Sequence, residues 1–194
     1  MPFVGLTGGL GSGKSTALKA LARLGAEVLS SDAVVHELYE GAPLRDAVVA
    51  RFGADVAPGG VVDRAELARR AFATAEDRAW LERQVWPLVG ARVAQWLELA
   101  RSRRPAPRAA VVEVPLLFEA GLERAYDATI AVIAQESVRE RRAAARGHAV
   151  VDERAARQLS QQEKARRATF VVRNDGTEEE LERELSAVLG KLGG

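Results

Sequence analysis

"GLTGGLGSGKST", residues 5–16, places five glycines in twelve positions and ends on a lysine and two hydroxyls. A short apolar opening, "PFV", precedes it, and "ALKALARLG", which reads as a helix, follows. Within the stretch Gly8, Gly13, Lys14 and Ser15 fit the spacing G-x-x-x-x-G-K-[ST] between a strand and a helix, the context in which that motif has meaning. The glycines let the backbone wrap a triphosphate and turn successive amide N–H groups inward as an anion nest. The helix starting near Lys14 adds the positive end of its dipole and its unpaired amides. Lys14 can reach the β- and γ-phosphates, and Ser15 can supply a hydroxyl ligand to Mg²⁺. Gly9, Gly11, Ser12 and Thr16 complete the expected nucleotide cradle, so the chain is read as binding a nucleoside triphosphate.

Outward from that loop, apolar runs suited to buried strands occur at 3–6, 27–29, 110–114, 128–133 and 170–172, with helical patterns between them. The last helix opens on Thr177 and Glu180, a capping-box spacing, and repeats Leu181, Leu185, Val188, Leu189 and Leu192. Alternating strands and helices predict βαβ units. The fold class is therefore α/β, a P-loop NTPase with a doubly wound, five-stranded parallel sheet. Residues 33–104 break the alternation and read as helices only, placed between strands two and three. They are read as a helical insertion within a single domain spanning 1–194. Pro87 is expected to break or kink the last helix of that insertion, because it lacks an amide donor and crowds the preceding turn.

Composition narrows the class. A chain of 194 residues can bury one sizeable core, and 47% apolar with 28% charged residues is ordinary for a globular protein. A net charge of +1 offers no global field for nucleic acid or a membrane, so neither partner is expected. With no cysteine there is no disulfide framework, thiol nucleophile or Cys-ligated metal. The opening lacks a signal-peptide pattern, and no apolar run approaches the roughly 18 residues of a membrane span. The expectation is a soluble cytoplasmic protein, a monomer or small homo-oligomer. Basic residues are nearly all arginine, with lysine only at Lys14, Lys19, Lys164 and Lys191.

Three uses of the nucleotide compete: transfer to a small molecule, hydrolysis in a motor, and hydrolysis in a switch. The N/T-K-x-D string of guanine recognition is missing, and the third strand reads "AAVVEVPLLFE" instead of ending in Asp or Asp-Glu. The helical insertion favours a small-molecule kinase, a single kinase domain over 1–194 in which 33–104 is the acceptor-binding insertion that holds the phosphate acceptor. Asp32, just past the carboxyl end of the second strand, faces the edge where ligands of open α/β sheets bind. It can take the acceptor hydroxyl's proton, or cap the helix beginning at Ala33, or do both. Glu113 ends the third strand and either holds a Mg²⁺-bound water or is a buried acid with a structural partner. Glu119 reads as structural or acceptor-facing. Arg139, Arg142 and Arg146 recur on one helical face of a lid region at about 136–165, where they either neutralise phosphate charge or form a solvated face. His36 and His148 have no ligand spacing, and Trp80, Trp86 and Trp96 read as core.

Taken together the motifs resemble those of the dephospho-CoA kinase family over nearly the whole chain. "GLTGGLGSGKST" is similar to that family's opening, including its second glycine pair. "FG" at 52–53, "GGVVDRAELARRAF" at 59–72, "VPLLFE" at 114–119, Gln161, Lys164 and "VVRNDG" at 171–176 follow in the family's order. The resemblance implies transfer of the ATP γ-phosphate, with Mg²⁺, to the ribose 3′-hydroxyl of dephospho-CoA. It implies Asp32 at the acceptor hydroxyl, Arg139 and Arg142 on the lid, Asn174 on the adenine-side loop, and Arg64 among the acceptor contacts. Three positions depart from the family pattern. Ser30-Ser31-Asp32 stands for Asp-Ala-Asp, Trp86-Pro87 for His-Pro, and Ala168-Thr169 for Ala-Asp.

Overall fold

β1 (Phe3–Gly8) is buried from Val4 onward, as a strand covered on both faces must be, and it runs two residues beyond the apolar run that predicts it. The computed structural model describes residues 1–145 and 158–193, so Arg146, His148 and the middle of the expected lid lie outside the described residues. β2 (Glu27–Ser30), β3 (Ala110–Glu113), β4 (Ala128–Ile133) and β5 (Phe170–Arg173) complete one sheet in the order β2-β3-β1-β4-β5. Every pairing is parallel, so all five carboxyl ends share one edge. The chain turns from β1 toward β3 and β2 on one side, while β4 and β5 lie on the other. The loop after β1 therefore stands where the strand order reverses, the place where open α/β sheets bind ligands.

By packing, the chain divides into two compact units, 1–30 with 97–194, and 31–96. In the first, α1 (Lys14–Arg23), α6 (Glu136–Ala145), α7 (Gln161–Arg167) and α8 (Glu178–Leu192) accompany the sheet. Val4, Leu6, Leu21, Ile130, Leu185 and Leu189 form the centre of its core. The expected capping box is present on α8: Thr177 N–H donates to Glu180 Oε2 at 3.0 Å, and Glu180 N–H to Thr177 Oγ1 at 3.3 Å. Thr169 has its own answer to the departure from Asp. Its amide donates to Thr129 Oγ1 at 3.0 Å while its hydroxyl accepts from the Thr129 amide at 3.1 Å, a reciprocal pair that fastens β5's approach to β4.

The second unit contains α2 (Ser31–Glu40), α3 (Ala42–Phe52), α4 (Arg64–Ala71) and most of α5 (Ala75–Ser102). Leu44, Val48, Val56, Leu67, Leu81 and Val85 gather in a core of its own, with Trp80 packed edge-on to Phe52 at 5.5 Å. Of the break or kink expected at Pro87, the break does not occur: α5 runs continuously for 28 residues. Arg83 and Pro87 are both exposed, so the carbonyl that Pro87 cannot serve lies on a water-facing side, and burial of Leu81 and Val85 holds the preceding turns. Trp86 also corrects the sequence reading: it is 56% exposed and not core. Among the described residues no helix is long and apolar enough to cross a membrane.

Leu185 is fully buried on α8, whereas Leu99 is 61% exposed. Leu185→Ala is expected to cost about 2–5 kcal/mol of stability in chemical denaturation, through lost transfer energy and a cavity. Leu99→Ala should leave the denaturation midpoint nearly unchanged.

Candidate active site

The turn from β1 into α1 is built on a glycine that cannot be replaced by shape alone. Gly13 caps α1 with φ 91° and ψ 28°, the left-handed region that side chains avoid. A Cβ on it would lie 1.9 Å from Asn174 Nδ2. That amide is held in place because Asn174, 4% exposed beyond the end of β5, donates from Nδ2 to Ser12 O at 2.9 Å. The loop closes on itself as well: Ser12 N–H donates to Gly9 O at 3.2 Å and Lys14 Nζ to the same oxygen at 3.1 Å. Gly8, Gly9, Ser12 and Gly13 are buried, Gly11, Lys14 and Thr16 half-buried, and Ser15 exposed in the first turn of α1. That first turn carries no acidic side chain, so nothing of its own offsets the positive helix end.

Two arginines of α6 reach this loop. Arg139 Nε donates to Leu10 O at 2.8 Å, and its NH1 pairs with Glu136 at 2.6 Å. Arg142 NH1 donates to Asn174 O at 2.9 Å, with NH2 3.4 Å from Asn174 Oδ1. Asn174 thus ties one arginine to the loop backbone beneath it. A cavity of about 260 Å³ opens beside Gly9, Leu10, Arg139, Ser160 and Gln161. Glu113 closes β3, 7% exposed, in register with Leu6 of β1 and Ser30 of β2.

Beneath the same edge three of the motif residues, Gln161, Lys164 and Glu119, take part in a polar cluster. Gln161 of α7 accepts from Ala134 N–H and donates to Ala134 O, both at 2.9 Å, just past β4. Lys164, fully buried, pairs with Glu119 Oε1 at 2.8 Å and donates to Pro115 O at 2.7 Å. Burial pushes its ammonium below the usual lysine value, and Glu119 opposes that shift. Glu119, read from sequence as structural or acceptor-facing, is engaged by this lysine and by Leu159 N–H at 2.8 Å. The sequence offers Gln161, Lys164 and Glu119 only as matches to the family's order of motifs, and nothing there says that they meet.

The helical unit contributes separately. Asp32 is exposed in the first turn of α2, which begins at Ser31, so it sits inside the helix and not at a cap before Ala33. Arg64 opens α4 behind Asp63, whose carboxylate accepts from Ala65 N–H at 2.9 Å, and its NH1 lies 3.0 Å from His36 Nδ1.

Relatives match this chain over nearly its whole length. The profile of the dephospho-CoA kinase family matches residues 2–180. A dephospho-CoA kinase of Deinococcus radiodurans is 41% identical over 192 residues, covering 97% of this chain and 91% of that protein. A crystal structure of a Thermus thermophilus protein superposes with a TM-score of 0.81 at 37% identity, over 100% of this chain and 99% of that one. Dephospho-CoA kinase from Campylobacter jejuni shares the fold, with a TM-score of 0.69 at 22% identity over 98% and 96% of the two chains. With residues 2–180 matched by that profile and a 41% identical relative covering 97% of its length, the chain belongs to the dephospho-CoA kinase family.

Proposed function

We propose that the chain transfers the γ-phosphate of ATP to the ribose 3′-hydroxyl of dephospho-CoA, giving coenzyme A and ADP. The observation that carries this reading is the convergence of Arg139, Arg142 and Asn174 on the loop 9–13 in a member of this family. Phosphoryl transfer needs little covalent help from a protein and much positioning and charge neutralisation, which such a cluster supplies. Lys14 extends to the β- and γ-oxygens by leaving the Gly9 carbonyl that it holds, an exchange of one acceptor for a charged one. Gly8, Gly9, Gly11, Ser12, Gly13 and Thr16 supply the cradle. Asn174 serves the nucleotide site from behind, as a brace between Gly13 and Arg142, and the two arginines neutralise charge as it shifts to the leaving group.

Ser15 and Glu113 would hold a magnesium ion together with the phosphates. Their hydroxyl and carboxylate are hard oxygen donors suited to that cation, and among the described residues no cluster of three or more acids and histidines offers a rival site. Magnesium would supply charge neutralisation across the β- and γ-phosphate oxygens. Asp32 accepts the acceptor hydroxyl's proton and aligns its oxygen. The helical unit receives the acceptor, with Arg64 as one contact for its anionic groups. We also read the enzyme as cytoplasmic, as a monomer or small homo-oligomer, and as acting on a small molecule without nucleic acid.

Release of ADP against a panel of acceptors tests the substrate. Turnover is expected with dephospho-CoA; turnover confined to nucleosides or nucleotides rejects it, and release independent of any acceptor marks an ATPase. Lys14→Ala should lower kcat/KM for ATP by about 100-fold or more, the order seen on removing one strong charge stabiliser. Asp32→Asn should leave ATP affinity intact and cut kcat roughly 100-fold, as loss of a general base does. A near-wild-type kcat there removes Asp32 from the chemistry. Chelation of divalent ions should abolish transfer, with restoration by Mg²⁺ and not by monovalent salt.

A further inference from the structure

Lys164 is the largest fully buried side chain among the described residues. An ammonium removed from water needs an acceptor for each of its protons. Lys164 finds three: Glu119 Oε1 at 2.8 Å, Pro115 O at 2.7 Å and Thr7 Oγ1 at 3.3 Å. The Thr7 hydroxyl, accepting from the lysine, donates its own proton to Pro115 O at 3.2 Å. Glu119 Oε2 is buried without a hydrogen-bond partner among the described residues, so that carboxylate depends on Lys164 and on the Leu159 amide.

The place of this cluster in the sheet gives it a task. β1 and β3 pair only as far as Leu6 and Glu113, with one further bond from Val114 N–H to Leu6 O at 2.8 Å. Beyond that point no ladder joins the two strands. Yet the next residues are Thr7 and Gly8 on one side and Pro115 on the other, and these lead into the phosphate loop and away from Glu113. The Lys164 ammonium, bonded to Thr7 and Pro115 together, ties the two strands where the backbone pattern stops. Gln161, one turn earlier on α7, clamps Ala134 beyond β4 in the same way. A buried ion pair is a poor device for stability alone, since apolar side chains of similar volume often hold a core as well. Its directional bonds are what an apolar pair cannot reproduce.

We propose that Lys164, paired with Glu119, is a positioning residue for phosphoryl transfer: through Thr7 Oγ1 and Pro115 O it fixes the ends of β1 and β3 that present the phosphate loop and Glu113. It touches no reacting atom in this scheme. A displacement of reacting groups by about 1 Å can cost on the order of 100-fold in rate, so a tie at this position governs kcat.

The inference rests on the phosphoryl-transfer reading, and turnover of dephospho-CoA by the wild-type chain in the same assay shows separately whether that reading stands. Thr7→Val removes one hydroxyl while keeping shape and leaving the ion pair. Its melting temperature should fall by only a few degrees, from the one lysine proton left without an acceptor, and the protein should stay folded at assay temperature, while kcat falls about 10- to 100-fold with KM for ATP and for dephospho-CoA within about threefold. A wild-type kcat in Thr7→Val overturns the proposal. The paired variant Lys164→Met with Glu119→Leu leaves no buried charge behind and should show a similar loss of kcat in folded protein. Full activity there assigns the pair to stability alone. If the paired variant does not fold, Thr7→Val decides by itself. Adding Thr7→Val to the folded paired variant should lower kcat by clearly less than its effect in the wild type, because only the direct Thr7–Pro115 bond is then left to lose; fully multiplied losses overturn the route through Thr7.

Discussion

The left-handed turn at Gly13 is the constraint on which the rest depends. A β-strand can enter a helix within five residues only if the backbone reverses sharply, and here it does so where a side chain would collide with Asn174. Because Gly13 has none, the Asn174 amide reaches the Ser12 carbonyl and holds the loop closed. Asn174 in turn receives Arg142, so the conformation of one residue sets the position of a cation contributed from α6. Arg139 reaches the same loop independently, at Leu10. Backbone oxygens thus orient both cations, Leu10 O for Arg139 and Asn174 O for Arg142.

The sheet supplies the second layer of order. Parallel pairing puts the carboxyl ends of β1, β3 and β4 at one edge, but the β1–β3 ladder stops at Leu6 and Glu113 while the β1–β4 ladder continues to Gly8 and Val132. α7 takes over there through Gln161 and Lys164, one neutral and bidentate, the other charged and three-way. A helix of seven residues is too short to be stable by propensity, so these side-chain bonds and its Ser160 cap hold it in place as much as it holds the strands.

The five strands, the phosphate loop and the capped last helix were legible in the sequence because each rests on local chemistry. Glycine spacing reports backbone shape, apolar runs report burial on both faces, and Thr177 with Glu180 reports unpaired amides three residues apart. Pro87 does not break its helix, because the outcome depends on where the freed carbonyl points, and exposure decided that. Trp86 was misread because hydrophobicity does not say which side of a helix is covered. Thr169 could not be interpreted from sequence at all, since its partner Thr129 lies forty residues away in the chain.

The sequence by itself determined the nucleotide chemistry and the family, because both are written in short motifs whose residues act within one turn of each other. Only the tertiary structure decided what surrounds that chemistry: that Asn174 braces Gly13, that Arg142 leans on Asn174, and that Lys164 and Glu119 lie buried beneath Thr7. Those contacts join segments between 32 and 162 residues apart, and no local pattern encodes a meeting set by the order in which strands assemble.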